Sequence, residues 1–194
     1  MELAEYQPGM CSLAAVESFA ELEPAYTPLV KLSGFDARLG ALWDAVMQDC
    51  SGDELSEGGQ SLAELDRIDQ LEVELLDIRD IVPITVLHSF PDGLYVREII
   101  VPRASLIVGH RHIHECLNVM TQGEVLTVVN GQIQRFVAPF MGTSGADTRK
   151  ASIVLEDMRW ATVHPNPENE RNIEVLEQRL VRKSPAFLRT NQIT

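Results

Sequence analysis

The chain has 194 residues, 45% of them hydrophobic, and a formal net charge of −13, which suits one sizeable domain with an appendage or two small ones. No apolar run approaches the roughly 20 residues that span a bilayer, and the acidic start Met1-Glu2-Leu3-Ala4-Glu5 is unlike a secretory signal, so a soluble protein not exported through a signal peptide is expected. Residues 1–80 hold 18 Asp or Glu against 4 Lys or Arg, residues 81–194 hold 11 against 12, and an acidic chain with no basic stripe argues against direct nucleic-acid binding, whose affinity comes from phosphate contacts.

In chain order, residues 12–21 read as a short helix capped by Ser12, before Pro24 and Pro28 impose an extended connection. Phe35, Leu39, Leu42, Trp43 and Val46 fall at helical spacing and predict a helix ending near Asp49, with Trp43 in its core-facing stripe. Residues 51–60, rich in acidic residues and glycine, predict a solvated loop. Ser61 then caps a second helix, with Glu64 completing a capping box. Its stripe of Leu62, Leu65, Ile68, Leu71, Leu75 and Leu76 must be buried, on the preceding helix or in a subunit contact.

From residue 81 the pattern changes to strands. Residues 81–89 carry Pro83, as an edge strand or bulge tolerates; Pro91-Asp92-Gly93 makes a turn; 94–101 form a β-branched run. A histidine-bearing strand follows, with a turn at Thr121-Gln122-Gly123 and a partner strand over 124–129. The Asn130-Gly131 turn leads into a strand over 132–137, residues 141–150 read as a loop, and strands over 151–155 and 158–164 flank a turn at Glu156-Asp157. Many short strands at close spacing predict a sandwich or barrel. Residues 165–170 are a polar break, 173–181 a terminal helix with Leu176 and Leu180 inward, and the tail from Ser184 an extended segment ordered against a partner. The expected organisation is mainly β with a helical arm: an acidic arm over 1–79, a β-barrel over 80–165, and a C-terminal helix and tail over 166–194.

The chemistry gathers around residues 108–125. On a strand, His110, His112, His114 and Cys116 would share one face while Arg111, Ile113, Glu115 and Leu117 take the other. Imidazoles suit transition metals, and a thiolate biases the choice toward zinc. Same-face neighbours stand about 6.6 Å apart, so one ion cannot take all three histidines. One register uses His110 and His112, a shifted one His112 and His114 with Asn118 nearby. Arg149 and Lys150 are candidates to hold an anion at the mouth of the barrel. Cys11, Cys50 and Cys116 form no CxxC pair, which fits a reducing compartment.

The spacing His110-x-His112-x3-Cys116-x6-Gly123 resembles the first motif of the cupin superfamily, with Cys116 where its consensus has Glu. The segments Ser144-Gly145-Ala146-Asp147-Thr148-Arg149-Lys150 and Leu155-Glu156-Asp157-Met158-Arg159-Trp160-Ala161-Thr162-Val163-His164 are similar to cupin domains of unknown role encoded by tailed bacteriophages. The resemblance spans residues 81–165 and implies a jelly-roll whose curled sheets bring His164 to His110 and His112. The implied metal set is His110, His112, His164 and Cys116, with His114 as the alternative register, around Zn, Fe, Mn or Ni. Arg149 and Lys150 occupy the region of the second motif's histidine. The implied role is a non-catalytic accessory or virion-associated protein in the host cytoplasm or virion. The alternatives are a small metal-dependent oxygenase or isomerase and a small-anion sensor. A homo-oligomer or partner contact through the N-terminal helices and C-terminal tail is expected.

Overall fold

The computed structural model describes residues 19–21, 29–31, 37–77 and 84–190. Short strands β1 (Phe19–Glu21) and β2 (Leu29–Lys31) precede helices α1 (Ala37–Val46) and α2 (Leu62–Asp77). Strands β3 (Thr85–Ser89), β4 (Leu94–Val101), β5 (Ser105–Val108), β6 (Arg111–His112), β7 (Cys116–Val129), β8 (Gln132–Val137), β9 (Phe140–Ser144) and β10 (Ala151–Pro165) follow. Helix α3 (Ile173–Leu180), strand β11 (Val181–Arg182) and helix α4 (Pro185–Thr190) close the chain. The architecture is a mainly β, antiparallel jelly-roll with helices.

Two long strands organise it. The second half of β10 lies between β4 and the first half of β7, which also pairs with β9. The first half of β10 lies between β5 and the second half of β7, which pairs with β8. Both long strands therefore pass from one sheet into the other, and they bend together. At the bend Gly123 adopts φ +94°, and a Cβ there would stand 2.6 Å from the Asp157 carbonyl oxygen, so only glycine fits. The ladder shifts register between Val154 and Trp160 yet continues through Glu156↔Glu124 and Arg159↔Gln122. Residues 121–123 and 156–157 are thus a bend and a bulge within continuous strands, correcting the two turns read from sequence. Polar and glycine residues mark a local irregularity in either case; what distinguishes a bulge is the partner strand opposite.

The Asn130-Gly131 hairpin has both central residues at positive φ, 51° and 71°, as a two-residue turn of this type requires. Residues 19–21 are a strand paired with β3, Phe19 opposite His88, rather than the end of a helix; residues 12–18, Pro83 and Cys11 lie outside the described residues. Residues 140–144 form β9 on the edge of β7 rather than a loop. The tail folds back as α4, capped by Ser184 Oγ accepting from Phe187 N at 3.1 Å and anchored by buried Phe187.

The helices pack directly on the barrel. Leu39, Trp43 and Val46 of α1 and Ile68, Leu71 and Leu75 of α2 form one buried cluster with Leu106, Val108, Val128 and Ala151 of the sheet. Each such side chain contributes roughly 1.5–3 kcal/mol on burial, while Leu62 and Leu76 at the edges of the stripe are half-buried. Ser61 Oγ caps α2 by accepting from Glu64 N at 3.1 Å. The capping box is not closed, because the Glu64 carboxylate instead accepts from Gly131 N and Gln60 Nε2, both at 2.5 Å. Ser61 N donates to Asn130 Oδ1 at 2.9 Å, so the start of α2 is fastened to the β7–β8 hairpin. Among the described residues no helix is long and apolar enough to cross a membrane.

Candidate metal centre

Strand alternation places most of the site. On β10, Trp160, Thr162 and His164 line the barrel interior, opposite Ile99, Arg97 and Tyr95 of β4. On its other side β7 buries Cys116, Asn118 and Met120 at every second residue, with Asn118 opposite Thr162. Cys116 is therefore brought to the level of His164 by pairing between strands some forty residues apart in sequence.

His112 arrives differently. It belongs to the two-residue β6, paired with β11 through Val181, and its N–H donates to Thr148 O at 2.8 Å. The strand does not run on to Cys116: residues 113–115 bend, and His114 is exposed. This corrects the unbroken alternation expected over 110–116, because Ile113 N donates to Leu180 O at the C-terminal helix instead of joining a ladder.

The bend brings three donors together. One ligating atom each from His112, Cys116 and His164 lies within 4.8 Å of the others. Cys116 Sγ is 3.6 Å from His112 Nδ1, and the two imidazoles stack with centroids 5.6 Å apart and planes 14° from parallel. Tyr95 stacks on the far side of His164 at 6.2 Å, its hydroxyl 2.7 Å from His88 Nδ1. His110 lies outside this cluster: its ring meets the Phe187 ring edge-on at 4.9 Å, and both its nitrogens are buried without a hydrogen-bond partner.

The surroundings keep the imidazoles neutral. Burial, then the positive field of Lys150, His164 and Arg97, lowers His112 to about 3. Burial, Arg97 and His114 lower His164 to about 4, and burial holds His110 well below the usual histidine range. The Cys116 thiol is pushed up by burial, with Lys150 opposing the shift. At neutral pH the cluster therefore offers two neutral imidazoles and a thiol.

This donor set fits a tetrahedral metal. Bonds of about 2.0–2.1 Å to nitrogen and 2.3 Å to sulfur put N and S about 3.6 Å apart, the separation already held by His112 Nδ1 and Cys116 Sγ. A ring nitrogen of His164, within 4.8 Å of both, completes the set after a small closure.

The two cations read from sequence part company. Arg149 is buried and does not line the cavity; its guanidinium pairs with Asp69 and with Glu72 at 2.6 Å, both on α2, and donates to Gly109 O at 2.6 Å. Lys150 does line the cavity, donating to Ser144 Oγ at 2.5 Å and to Asn118 Oδ1 at 3.4 Å, with its Nζ 5.9 Å from the Trp160 ring centroid. Asn118 Oδ1 also accepts from Trp160 Nε1 at 3.1 Å. Arg97 and Tyr95 stand out in no sequence motif; only the β4–β10 register reveals them, opposite Thr162 and His164. The cavity, about 120 Å³, is also lined by Glu177, Leu180 and Val181 at the junction of α3 and β11.

No family model matches the chain, and no curated protein matches it in sequence. Similar solved structures include a cupin-like protein from Thermotoga maritima, 9% identical, TM-score 0.38, covering 45% of this chain and 72% of that one. KdgF from a Halomonas species is 14% identical, TM-score 0.39, covering 47% and 83%. A cupin superfamily protein from Desulfitobacterium hafniense is 11% identical, TM-score 0.37, covering 48% and 85%. The likeness is one of fold.

Proposed function

We propose that this chain is a cupin-fold metal-binding protein of the non-catalytic accessory type, holding zinc through His112, Cys116 and His164. The observation that carries the reading is the convergence of these three donors from β6, β7 and β10 beside a cavity that His112 and His164 line. A thiolate with two imidazoles is a soft set that favours zinc over Mn or Mg. A bound ion would be held by these three side chains and would supply a Lewis-acidic centre there. Stacking between Tyr95 and His112 orients His164, and Lys150 beside Cys116 favours the thiolate. The ion would join β6, and through it β11, to the two long strands, a structural use of the metal. The accessory role in a phage particle or its host follows from the resemblance of residues 144–164 to tailed-phage cupins.

The test is metal analysis of the purified full chain beside His112→Ala. The expected result is about one zinc per chain, lost in the variant with a lower melting temperature and no lost reaction. Metal-dependent turnover that vanishes in His112→Ala, with melting temperature and oligomeric state unchanged, would favour the enzyme reading instead.

A further inference from the structure

Lys150 points a cation into the interior, and among the described residues no carboxylate pairs with it. Its Nζ donates to Ser144 Oγ at 2.5 Å and to Asn118 Oδ1 at 3.4 Å, and stands 5.9 Å from the Trp160 ring centroid. Burial lowers the ammonium and so favours the neutral, nucleophilic amine. Asn118 is buried too, and both ends of its amide are held: Oδ1 accepts from Trp160 Nε1 at 3.1 Å, and Nδ2 donates to Ser144 Oγ at 2.8 Å. One hydroxyl therefore touches the lysine nitrogen and the amide nitrogen together, while an indole N–H engages the carbonyl oxygen between them. As a mere hydrogen-bond network these groups would keep an unpaired cation inside the fold, which is costly. As a reacting set they supply what an amine needs to displace ammonia from an amide: nucleophile, electrophile, polarising donor and proton relay.

We propose that Lys150 and Asn118 join in an intramolecular isopeptide bond, formed within the fold with loss of one ammonia. The neutral Nζ lone pair adds to Asn118 Cγ, and the charge that develops on Oδ1 is stabilised by the Trp160 N–H. One Nζ proton passes to Ser144 Oγ, whose own hydroxyl proton turns to Nδ2. The Cγ–Nδ2 bond then breaks, ammonia leaves, and a secondary amide between Cγ and Nζ remains; the balance requires no oxidant or cofactor. Holding both groups in one buried contact makes the step intramolecular. The bond ties the first half of β7 to the start of β10, which belong to different sheets. It closes a loop between positions 118 and 150 that restrains the unfolded chain as a disulfide would. An uncharged amide then stands where the ammonium stood. The inference rests on these four side chains and does not require the metal.

The experiment is mass spectrometry of the intact full chain, denatured and reduced, when freshly purified and after prolonged incubation at physiological temperature. The expected mass falls short of the sequence by one ammonia. Trypsin should then release a branched peptide joining residues 112–135 to residues 150–159, because an acylated Lys150 is no longer a cleavage site. Lys150→Arg should keep the full mass and give no branched peptide. Ser144→Ala and Trp160→Phe should each slow the ammonia loss by about tenfold or more. Chelator-treated protein should react to the same extent, so failure of the metal reading does not decide this one. A full chain that stays at its sequence mass would overturn the proposal whatever the variants do. An ammonia loss that persists in Lys150→Arg, or that yields no branched peptide, would place the loss at a succinimide of Asn130-Gly131 and overturn it equally. Unchanged rates in Ser144→Ala and Trp160→Phe would overturn the roles assigned to the hydroxyl and the indole.

Discussion

Zinc binding should release about one proton per ion at pH 7, and that proton should come from Cys116. Metal ligands must be deprotonated, so proton release counts the groups that hold protons beforehand. His112, at about 3, and His164, at about 4, are neutral throughout the physiological range and contribute none. The thiol, raised by burial, is protonated and contributes one. The zinc affinity should therefore rise about tenfold, or about 1.4 kcal/mol, per pH unit between pH 5 and pH 8. Imidazoles titrating normally near 6.5 would steepen the dependence to about a thousandfold per unit below that pH. Calorimetry in two buffers of different ionisation enthalpy measures the proton count directly. In Cys116→Ser the release should fall to near zero as the affinity drops. Release of two or three protons at pH 6 would refute the neutral imidazoles, and release unchanged in Cys116→Ser would remove the thiol from the site.

The metal-free protein should lose stability as pH falls from about 6.5 toward 4, because histidines lowered in the fold take up protons first in the unfolded chain. Each lowered imidazole adds up to about 1.4 kcal/mol per pH unit over that window, so denaturant melts of His164→Gln should show a visibly shallower slope; an unchanged slope would contradict the lowered His164. Arg149→Met leaves Glu72 buried opposite an apolar group and should cost about 3–5 kcal/mol, read by urea melts, whereas a cost under about 1 kcal/mol would mean that the pair does not fasten α2 to the barrel. Gly123→Ala forces a side chain onto the Asp157 carbonyl at φ +94° and should lower stability by more than about 2 kcal/mol, checked by thermal unfolding.

Local signals identified what depends on local chemistry. The Asn130-Gly131 turn, the α2 cap and the Leu176 and Leu180 face of α3 are all visible in a few neighbouring residues. Continuity was harder to read, since Gly123 and Glu156-Asp157 carry turn-like residues yet bend strands that pair onward. The candidate site shares that division. His112, Cys116 and His164 draw attention by residue type, and the fold brings them together, while His114 is exposed at the bend over 113–115 and His110 sets its ring against Phe187. The partners of Arg149 lie on α2, some eighty residues earlier, so no spacing rule could separate its role from that of Lys150. Arg97 and Tyr95 become part of the cavity only through the β4–β10 register.

The metal centre is tested most directly by titrating cobalt into the metal-free full chain and recording its absorption spectrum. The account predicts saturation at about one cobalt per chain with an intense thiolate-to-cobalt band in the near ultraviolet, and visible bands of tetrahedral strength. That charge-transfer band should be absent in Cys116→Ser, and both sets should vanish in His112→Ala and His164→Ala. Weak octahedral spectra without a thiolate band, or tight cobalt binding that survives loss of all three side chains, would contradict it.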